Sequence, residues 1–354
     1  MHPSANRKNV EVPDRCTVTV GHRPIGWEEF LRNSSAGVFH DVRWGEFLGS
    51  AVGNKVWRLT ARRNERICGV LQLIEQNSML FKHRLTSLPY LDASGVLATD
   101  DAAARDLVAS ARLLLEERNC SWIELRHKHN PWPDIPCRTD KVTFRLPLQQ
   151  DANAVWETLK PKVRNHIRKG QKSNLTLRTG GSELLDDFYP IYARRMRDLG
   201  SGPHAKSFFG ALFEVFGDIT TVHMAYLQDE TQAGAITLRD GKNLHVQWSA
   251  GTDKAKETSA NMLLYWAMIE FACAAGLDVF DFGRCTVESG IWTFKRQWGA
   301  KENALHWHYL LPEGSSLPPP AGEGRCAKAI RACWRFMPVW ACTAIGSRVV
   351  RKLA

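Results

Sequence analysis

The sequence predicts an α/β (α+β) protein in which one unit, a mixed central sheet flanked by helices, occurs twice. The chain has 354 residues, more than a single hydrophobic core usually serves, so two domains are expected. In each half, a strand meander leads through a helix into a further strand. With 44% hydrophobic and 24% charged residues, the composition is typical of a globular rather than a disordered chain.

The first unit begins with strand-like segments at residues 56–64 and 67–76, which a short polar turn joins as a hairpin. A helix is predicted from about 102 to 118, because apolar residues recur on one face and Asp100 or Asp101 can cap it. The helix leads into a strand at residues 121–127.

The second unit repeats this order. Strands are predicted at residues 221–229, 232–241 and 243–251, followed by a helix over 260–275 that Gly276 ends. The apolar segment 277–283 is typical of a buried strand.

These units give a predicted division of the chain into four parts. Residues 1–14 form a disordered N-terminal segment, and 15–148, which end in the strand-like run 142–148, form the first domain. Residues 149–311 form the second domain with the main site, and 312–354 a Pro-rich linker with a basic amphipathic tail.

Two helices are predicted at the start of the second domain, over 151–172 and 183–199. Lys160, Arg164, Arg168 and Lys172 recur every fourth residue and would lie along one side of the first helix. Pro161 is unfavourable inside a helix, so the regular part is expected to begin near it, with Lys160 just outside.

The charge of the chain indicates polyanionic partners. The formal net charge is +10, and seven basic residues without an acidic one lie between Lys160 and Arg178. Such runs favour phosphates, nucleic acid or an anionic membrane face, although a solvated surface explains either run equally well. The nine cysteines form no C-x-x-C pair, which favours a reduced cytoplasmic chain. No run is long and apolar enough for export or membrane spanning.

The tail after Glu323 contains seven basic residues and no acidic one, together with Trp334, Phe336, Trp340 and Ile345. This mixture fits a segment at an anionic membrane surface, where each Lys or Arg contributes roughly 1 kcal/mol. It fits a C-terminal helix packed on the body equally well. The sequence therefore predicts either a peripheral contact with the inner membrane face or a packed helix.

The richest segment for chemistry is the stretch from Asp281 to Ala300, which begins at the carboxyl end of a probable central strand, where α/β folds place ligands. It combines Asp281, Arg284, Glu288 and Lys295 with glycines and tryptophans. A loop of this length and content is rarely a simple connection.

Four segments together carry a resemblance to a known family: KPKVRNHIRKGQKSNL (160–175), LLDDFYPIYARRMRDLG (184–200), SANMLLYWAMIEFA (259–272) and FDFGRCTVESGIWTFKRQWGA (280–300). Their order and spacing resemble the FemAB-related proteins of bacterial exopolysaccharide and PEP-CTERM systems. The resemblance covers most of residues 40–311. It implies two tandem acetyltransferase-like (GNAT) domains that transfer an acyl or aminoacyl group to an amine.

The resemblance also implies roles for individual residues. Arg164 and Arg168 would hold phosphates of a lipid- or nucleotide-linked envelope or peptidoglycan precursor, and Asn165 is a further candidate substrate-binding residue. Lys295, in a Phe-Lys-x-x-Trp-Gly stretch that resembles the family's Phe-Lys-x-x-Phe-Gly, would lie at the reaction centre. The donor would be aminoacyl-tRNA or acyl-CoA, and no bound cofactor or metal is expected.

The chemistry of acyl transfer gives these residue types a reason. Attack of an amine on an ester or thioester builds negative charge on the carbonyl oxygen, which a preorganised cation can stabilise by on the order of 3 kcal/mol. Lys295 is the candidate, with Arg284 as the alternative, and Asp281 or Glu288 could accept the amine proton. Gln247, Trp248, Tyr265 and Trp298 are candidate substrate-binding residues, although the aromatic ones fit core packing as well.

One departure concerns coenzyme A. A CoA-dependent GNAT domain binds pyrophosphate with a glycine-containing loop at the start of a helix, because glycines let backbone N–H groups reach the phosphate. The equivalent stretch here, DKAKETSANMLLYW from 253 to 266, contains no glycine. A standard CoA site is therefore doubtful.

Other functions compete with the aminoacyl transferase. An acyl-CoA-dependent transferase of the BioF2-like or CelD-like group is one alternative. A nucleic-acid-binding module or a non-catalytic scaffold of an export system is another, motivated by the basic helix and the 13 tryptophans. His127 with His129 and His306 with His308 each place two imidazoles on one strand face, a weak zinc signal without a third ligand nearby in the sequence.

Overall fold

The computed structural model describes residues 15–21, 24–34, 36–77, 82–320 and 325–353, and these form two mixed sheets flanked by helices. Residues 1–14, for which the sequence predicts disorder, lie outside the described residues. The strands are β1 Thr17–Gly21, β2 Lys55–Arg63, β3 Arg66–Gln76, β4 Arg84–Thr86, β5 Leu97–Ala98, β6 Trp122–His127, β7 Cys137–Arg138, β8 Lys141–Pro147, β9 Leu175–Gly180, β10 Thr220–Leu227, β11 Glu230–Asp240, β12 Asn243–Gly251, β13 Val279–Thr286, β14 Lys301–Ala304 and β15 His306–Leu310.

The helices pack on the faces of these sheets and connect their strands. They are α1 Trp27–Arg32, α2 Arg43–Val52, α3 Asp101–Glu117, α4 Ala152–Thr158, α5 Pro161–Gln171, α6 Leu185–Asp198, α7 Lys206–Phe216, α8 Ala260–Ala274, α9 Gly290–Arg296, α10 Arg325–Phe336 and α11 Val339–Leu353. The sequence analysis anticipated α3, α6 and α8 to within about two residues of their ends, but it did not predict α2 or α7.

Local signals explain the helix ends. The Asp100 carboxylate accepts a hydrogen bond of 2.9 Å from the backbone N–H of Ala103 and caps α3. The segment predicted as one helix over 151–172 is broken into α4 and α5, with Leu159 extended and Lys160 as the N-cap of α5. Pro161 causes the break, because its ring is tolerated in the first turn of a helix but not in the interior.

The two sheets exchange strands between the halves of the chain. The first has the order β1-β2-β3-β4-β6-β15-β7, with β5 beside β3, and the second has the order β14-β8-β13-β12-β11-β10-β9. Strand β8 comes from before residue 148 but belongs to the second sheet, whereas β15 comes from after it and pairs with β6 of the first. A boundary at 148/149 therefore does not separate the two sheets.

A shared aromatic core joins the two halves. Trp44 of α2 stacks on Phe216 of α7 with ring centroids 4.2 Å apart, and Phe47 lies 4.9 Å from Phe208. These side chains are almost fully buried. The first half packs α3 on its own sheet, and the second packs α5 and α8 on its sheet. The halves thus bury apolar surface against each other, which holds them in a fixed arrangement.

Candidate functional site

The site is built where strands β12 and β13 separate. They pair in parallel at Asn243 with Val279, Leu244 with Phe280 and His245 with Asp281, and the pairing ends there. Beyond this point β12 continues beside β11, and β13 continues beside β8. Two parallel neighbours that diverge leave a cleft at their carboxyl ends, where α/β sheets bind ligands.

Gly283 allows the two strands to stay close at the base of this cleft. Its φ is +73°, and a Cβ atom on it would lie 2.2 Å from the carbonyl oxygen of Val246. Only glycine combines that backbone conformation with such a close approach. The register of β13 against β8 also shifts between Asp281 and Arg284, so the chain bulges at this glycine.

Lys295 of α9 lies against the bulge. Its Nζ donates hydrogen bonds to the carbonyl oxygens of Gly283, at 2.7 Å, and Arg284, at 3.1 Å. The side chain is only 5% exposed, and burial lowers the pKa of the ammonium group below its ordinary value. An ammonium group has three donors, so one N–H remains for a further acceptor. A buried cation held by neutral carbonyls beside a cleft is an arrangement typical of functional sites.

Asp281 takes part in a buried charge network at the base of the cleft. The two ring nitrogens of His245 lie 3.3 Å from Asp240 Oδ2 and 3.4 Å from Asp281 Oδ2. Asp281 Oδ1 accepts hydrogen bonds from the Thr143 hydroxyl and from the backbone N–H of Gly283. All of these side chains are buried or nearly so.

The network fixes the charge states of its members. Burial lowers the pKa of His245, but the hydrogen bonds to Asp240 and Asp281 outweigh it and raise that pKa to about 9. Burial raises the pKa of Asp281, yet His245 and Thr143 bring it down to about 2. A carboxylate with so low a pKa is a weak base, so this geometry argues against Asp281 as the group that accepts the amine proton. Glu288, the other candidate, is exposed in a turn with a φ of +59°.

Arg284 connects the cleft with the first half of the chain. Its guanidinium donates to the carbonyl oxygen of Leu91 at 3.1 Å and forms an ion pair of 3.1 Å with Asp92. Arg126 donates to the same carbonyl oxygen at 2.8 Å, and both guanidinium groups lie over the ring of Trp307. These contacts let Arg284 position residues 88–92, and the alternative role of Arg284 at the carbonyl oxygen stays a prediction.

The segment 88–92 closes one side of the cleft. Gln247 of β12 donates to the carbonyl oxygen of Tyr90 at 3.0 Å, so the segment is held by both diverging strands. Leu88 and Tyr90 have φ values of +49° and +75°, which is strained for bulky residues and is usually maintained by contacts on several sides. The Tyr90 ring lies 4.6 Å from that of His204.

Trp248 lies in the aromatic wall beside Tyr90. Its ring centroid is 5.9 Å from Phe208, 5.4 Å from Phe209 and 6.4 Å from His204, and the side chain is partly exposed. This placement is compatible with the predicted role of Trp248 in a substrate pocket.

Tyr265 and Trp298 lie on the opposite, α8 side of the cleft and are buried. The Tyr265 hydroxyl donates to Ser249 Oγ at 3.1 Å, and its ring stacks on Phe282 at 5.7 Å. Ser249 is exposed on β12 beyond the point where the strands separate. Trp298 is 1% exposed, and its indole N–H has no hydrogen-bond partner among the described residues. Tyr265 therefore reaches the cleft through Ser249, whereas Trp298 fills the core behind Lys295.

Arg164 and Arg168 of α5 make their contacts with α4 and with α5 itself. Arg164 forms an ion pair of 2.9 Å with Glu157, and Arg168 lies 5.3 Å from the ring centre of Trp156 and 3.4 Å from Asn165 Oδ1. Asn165 and Arg168 are exposed. Lys295, by contrast, contacts β13. The predicted convergence of Arg164, Asn165 and Arg168 with Lys295 in one pocket therefore stays a prediction.

Sequence reasoning missed the residues that the first half supplies to the site, Tyr90, Leu91 and Asp92, and also His204, His245 and Ser249. A run of bulky residues around Pro89 carries no recognised motif, and its pairing with Gln247 and Arg284 spans more than 150 residues.

No metal site is found in the described parts of the chain, where no three His, Cys, Asp or Glu side chains form a suitable group. The two histidine pairs do meet, because β6 lies beside β15 and places His127 Nδ1 3.3 Å from His308 Nδ1. His127 Nε2 accepts from the backbone N–H of Val96, and His308 Nε2 contacts Asn130. Burial lowers the pKa of both imidazoles, and they form a neutral packed cluster.

Arg284 can be tested against Arg126, which holds the same Leu91 carbonyl from another side. We expect Arg284→Leu and Arg126→Leu each to raise the KM for the acceptor with a smaller change in kcat, because both loosen residues 88–92. Each should also lower the free energy of unfolding by about 1–3 kcal/mol, the range for hydrogen bonds to charged groups. Steady-state kinetics and denaturant unfolding would measure this. A loss confined to kcat in Arg284→Leu would instead place Arg284 at the reacting atoms.

Comparisons with known proteins agree with this architecture. Residues 160–296 match the model of the acetyltransferase (GNAT) domain family. The crystal structure of FemX has a TM-score of 0.60 and 13% identity, and the alignment covers 82% of this chain and 97% of that chain. A tandem GNAT protein from the clavulanic acid biosynthesis pathway has a TM-score of 0.50 and 12% identity over 74% of this chain and 85% of its own.

A third solved structure is the C-terminal domain of a protein described as a lysylphosphatidylglycerol synthetase from Agrobacterium fabrum. Its TM-score is 0.52 at 10% identity, over 75% of this chain and 87% of that chain. No curated protein sequence matches this chain.

Residues 160–296 match an acetyltransferase (GNAT) domain, which supports a transferase, and the fold of the described residues is that of tandem GNAT proteins. The two units of the chain and their likeness to FemX confirm the FemAB-related tandem GNAT fold that the sequence predicts. The matched GNAT domain supports an acyltransferase activity for the chain.

Proposed function

We propose that the protein transfers an aminoacyl or acyl group to an amine of a phosphate-bearing envelope, exopolysaccharide or peptidoglycan precursor that is linked to a lipid or a nucleotide. The observation that carries the proposal is Lys295, a buried cation beside the cleft whose ammonium group donates to two backbone carbonyls, which leaves one N–H for a further acceptor. The reacting carbonyl would lie between the diverging ends of β12 and β13.

In the proposed reaction, the acceptor amine attacks the carbonyl carbon of an ester or thioester donor. A C–N bond forms, the C–O or C–S bond breaks, the amine loses a proton, and the leaving alkoxide or thiolate gains one. Negative charge develops on the carbonyl oxygen before the bond breaks, and the fixed ammonium group of Lys295 would stabilise it without reorganising at that moment.

The surroundings of Lys295 support this role. Its position is determined by the bulge at Gly283, and the bulge is in turn held by Asp281, whose carboxylate accepts the N–H of Gly283 at 2.9 Å. Asp281 therefore acts as a positioning residue in the proposal. Because the pKa of Asp281 is low, the proton acceptor in the proposal is Glu288, water or the leaving group itself.

Aminoacyl-tRNA is the donor that we propose, because residues 252–259 before α8 contain no glycine. A loop of this kind is poorly suited to present successive N–H groups to a pyrophosphate. The cations of α5 supply positive charge for phosphates of either substrate.

A transfer assay would test the donor. We expect purified protein to move a labelled amino acid from a charged tRNA pool into a precursor extract, and to show no transfer from labelled acetyl-CoA. Isothermal titration should likewise detect no heat of binding with acetyl-CoA. Transfer from acetyl-CoA alone would replace this donor with the acyl-CoA alternative. Absence of transfer from both, with the protein folded, would contradict the proposed function and favour the nucleic-acid-binding or scaffold alternatives.

A further inference from the structure

The C-terminal helices α10 and α11 pack on the body of the protein along one side. Trp334 is 3% exposed and Cys342 is fully buried. Gly346, one turn after Cys342, lies so close to Pro203 that a Cβ atom there would be 2.6 Å from the proline ring, and Arg331 covers Gly200 in the same way. Residues four apart share a helix face, so Cys342 and Gly346 define the packed side of α11. None of the helices in the described part of the chain is long and apolar enough to span a membrane.

The outer side of the same helices carries large apolar side chains in solvent. Phe336 is 89% exposed and Trp340 is 74% exposed, and they flank the turn at Pro338 between α10 and α11. Arg335, which precedes Phe336 on α10, is exposed as well. Among the described residues, Phe336 and Trp340 are the two most exposed aromatic side chains, and they lie four residues apart.

We propose that α10 and α11 form a docking surface for an anionic lipid bilayer, with Phe336 and Trp340 inserted among the head groups and Arg335 over the lipid phosphates. After Glu323 the sequence has seven Lys or Arg residues and no Asp or Glu, so its charge complements such a surface. The aromatic pair supplies the apolar contact that a purely basic segment lacks.

Charge also decides between a bilayer and a second copy of this chain. In a two-fold contact the same surface meets itself, so a tail with seven cations and no anion after Glu323 would approach a second tail of the same charge. The whole chain carries a formal charge of +10, which adds to the repulsion. An anionic bilayer is therefore the occupant that fits this surface.

Docking would also bring the catalytic cleft close to the bilayer, a consequence that, unlike the docking, rests on the proposed function. The tail holds Gly200 and Pro203 from two sides, and the next residue, His204, lies against Tyr90 and Phe208 in the wall of the cleft. A lipid-linked acceptor in the same membrane would then have a short path to the cleft.

Sedimentation of the full chain with vesicles tests the docking without any substrate. We expect binding to phosphatidylcholine vesicles that contain phosphatidylglycerol and little binding to phosphatidylcholine alone. Raising the salt concentration should weaken the binding, because charges at the surface are screened. The double variant Phe336→Glu/Trp340→Glu should bind the anionic vesicles at least about tenfold more weakly than the unchanged protein, since it removes the inserted groups and adds anions. Leu113→Glu, which changes an exposed leucine of α3, is the matched control and should bind as the unchanged protein does.

Two results would overturn the docking: equal binding to both kinds of vesicle, and undiminished vesicle binding of the double variant. If the double variant also loses dimers in light scattering, the surface is a contact between two copies of this chain. Thermal unfolding of each variant shows whether the fold is intact. Because no transfer is measured, a failure here leaves the proposed chemistry at Lys295 untouched.

Discussion

Lys295→Met is expected to lower the rate of group transfer by about 10²–10³-fold, the range found when one preorganised donor to an oxyanion is removed. Methionine has a similar length and packs well in irregular cores, so the fold should persist. The two carbonyls of Gly283 and Arg284 lose their donor, but the protein no longer buries a charge, and these effects act in opposite directions. Transfer kinetics and denaturant unfolding of the same preparation would separate activity from stability.

Lys301→Met is the matched control for this prediction, because Lys301 is an exposed lysine on strand β14, which follows α9 in the chain. It should transfer at the unchanged rate. Lys295→Arg tests geometry, since a planar guanidinium keeps the charge but not the point donor of an ammonium group. Full activity in Lys295→Met would show that Lys295 serves only to tie α9 to the bulge of β13.

His245→Gln is expected to have the largest effect on stability. The imidazolium lies between the carboxylates of Asp240 and Asp281, and its loss leaves two buried anions without a cation. Removing one partner of a buried ion pair costs about 3–5 kcal/mol of unfolding free energy. The shift of the His245 pKa from 6.5 to about 9 corresponds to about 3 kcal/mol, which agrees with that range.

The network also predicts how stability depends on pH. The pKa of His245 is raised in the folded state, so its stabilisation is fully present below pH 6.5 and is lost as the pH rises through about 9. The pKa of Asp281 is lowered, so its contribution is present above pH 3.8 and is lost as the pH falls through about 2. Unfolding free energies measured from pH 5 to 10 should therefore decline in the alkaline part of the range, and the decline should be much smaller in His245→Gln.

His223→Gln provides the control for the pH profile. His223 is a buried imidazole that contacts Thr179 and Thr237, and burial lowers its pKa to about 4, so it is neutral over this range. Its replacement should lower stability by a similar amount at all pH values from 7 to 10. An alkaline decline that persists unchanged in His245→Gln would assign the decline to other groups.

Part of the candidate site could be predicted from the sequence, because the stretch from Asp281 to Ala300 concentrates glycine, charge and tryptophan. The prediction of this stretch as a loop was wrong, since most of it forms the end of β13 and helix α9. That concentration of residues and the family resemblance predict Lys295 as a site residue, and the structure places it beside the cleft. The same charged stretch predicts Arg284 and Asp281 as catalytic residues, but both have partners that the sequence does not indicate. Arg284 pairs with Asp92 and Asp281 with His245 and Thr143. The sequence does not show whether a charged side chain forms an ion pair or remains unpaired in the folded protein.

Local patterns by themselves determined the strands β2, β3, β6, β8 and β10 to β13, the helices α3, α6 and α8, and the repeated α/β order, because hydrophobic periodicity, caps and prolines act over a few residues. The break of the helix at Pro161 is one example. Only the tertiary structure decided the exchange of β8 and β15 between the sheets, the separation of β12 from β13 and the docking of Tyr90 on Gln247. These features depend on hydrogen bonds and burial between residues more than 100 positions apart, for which no short-range pattern exists.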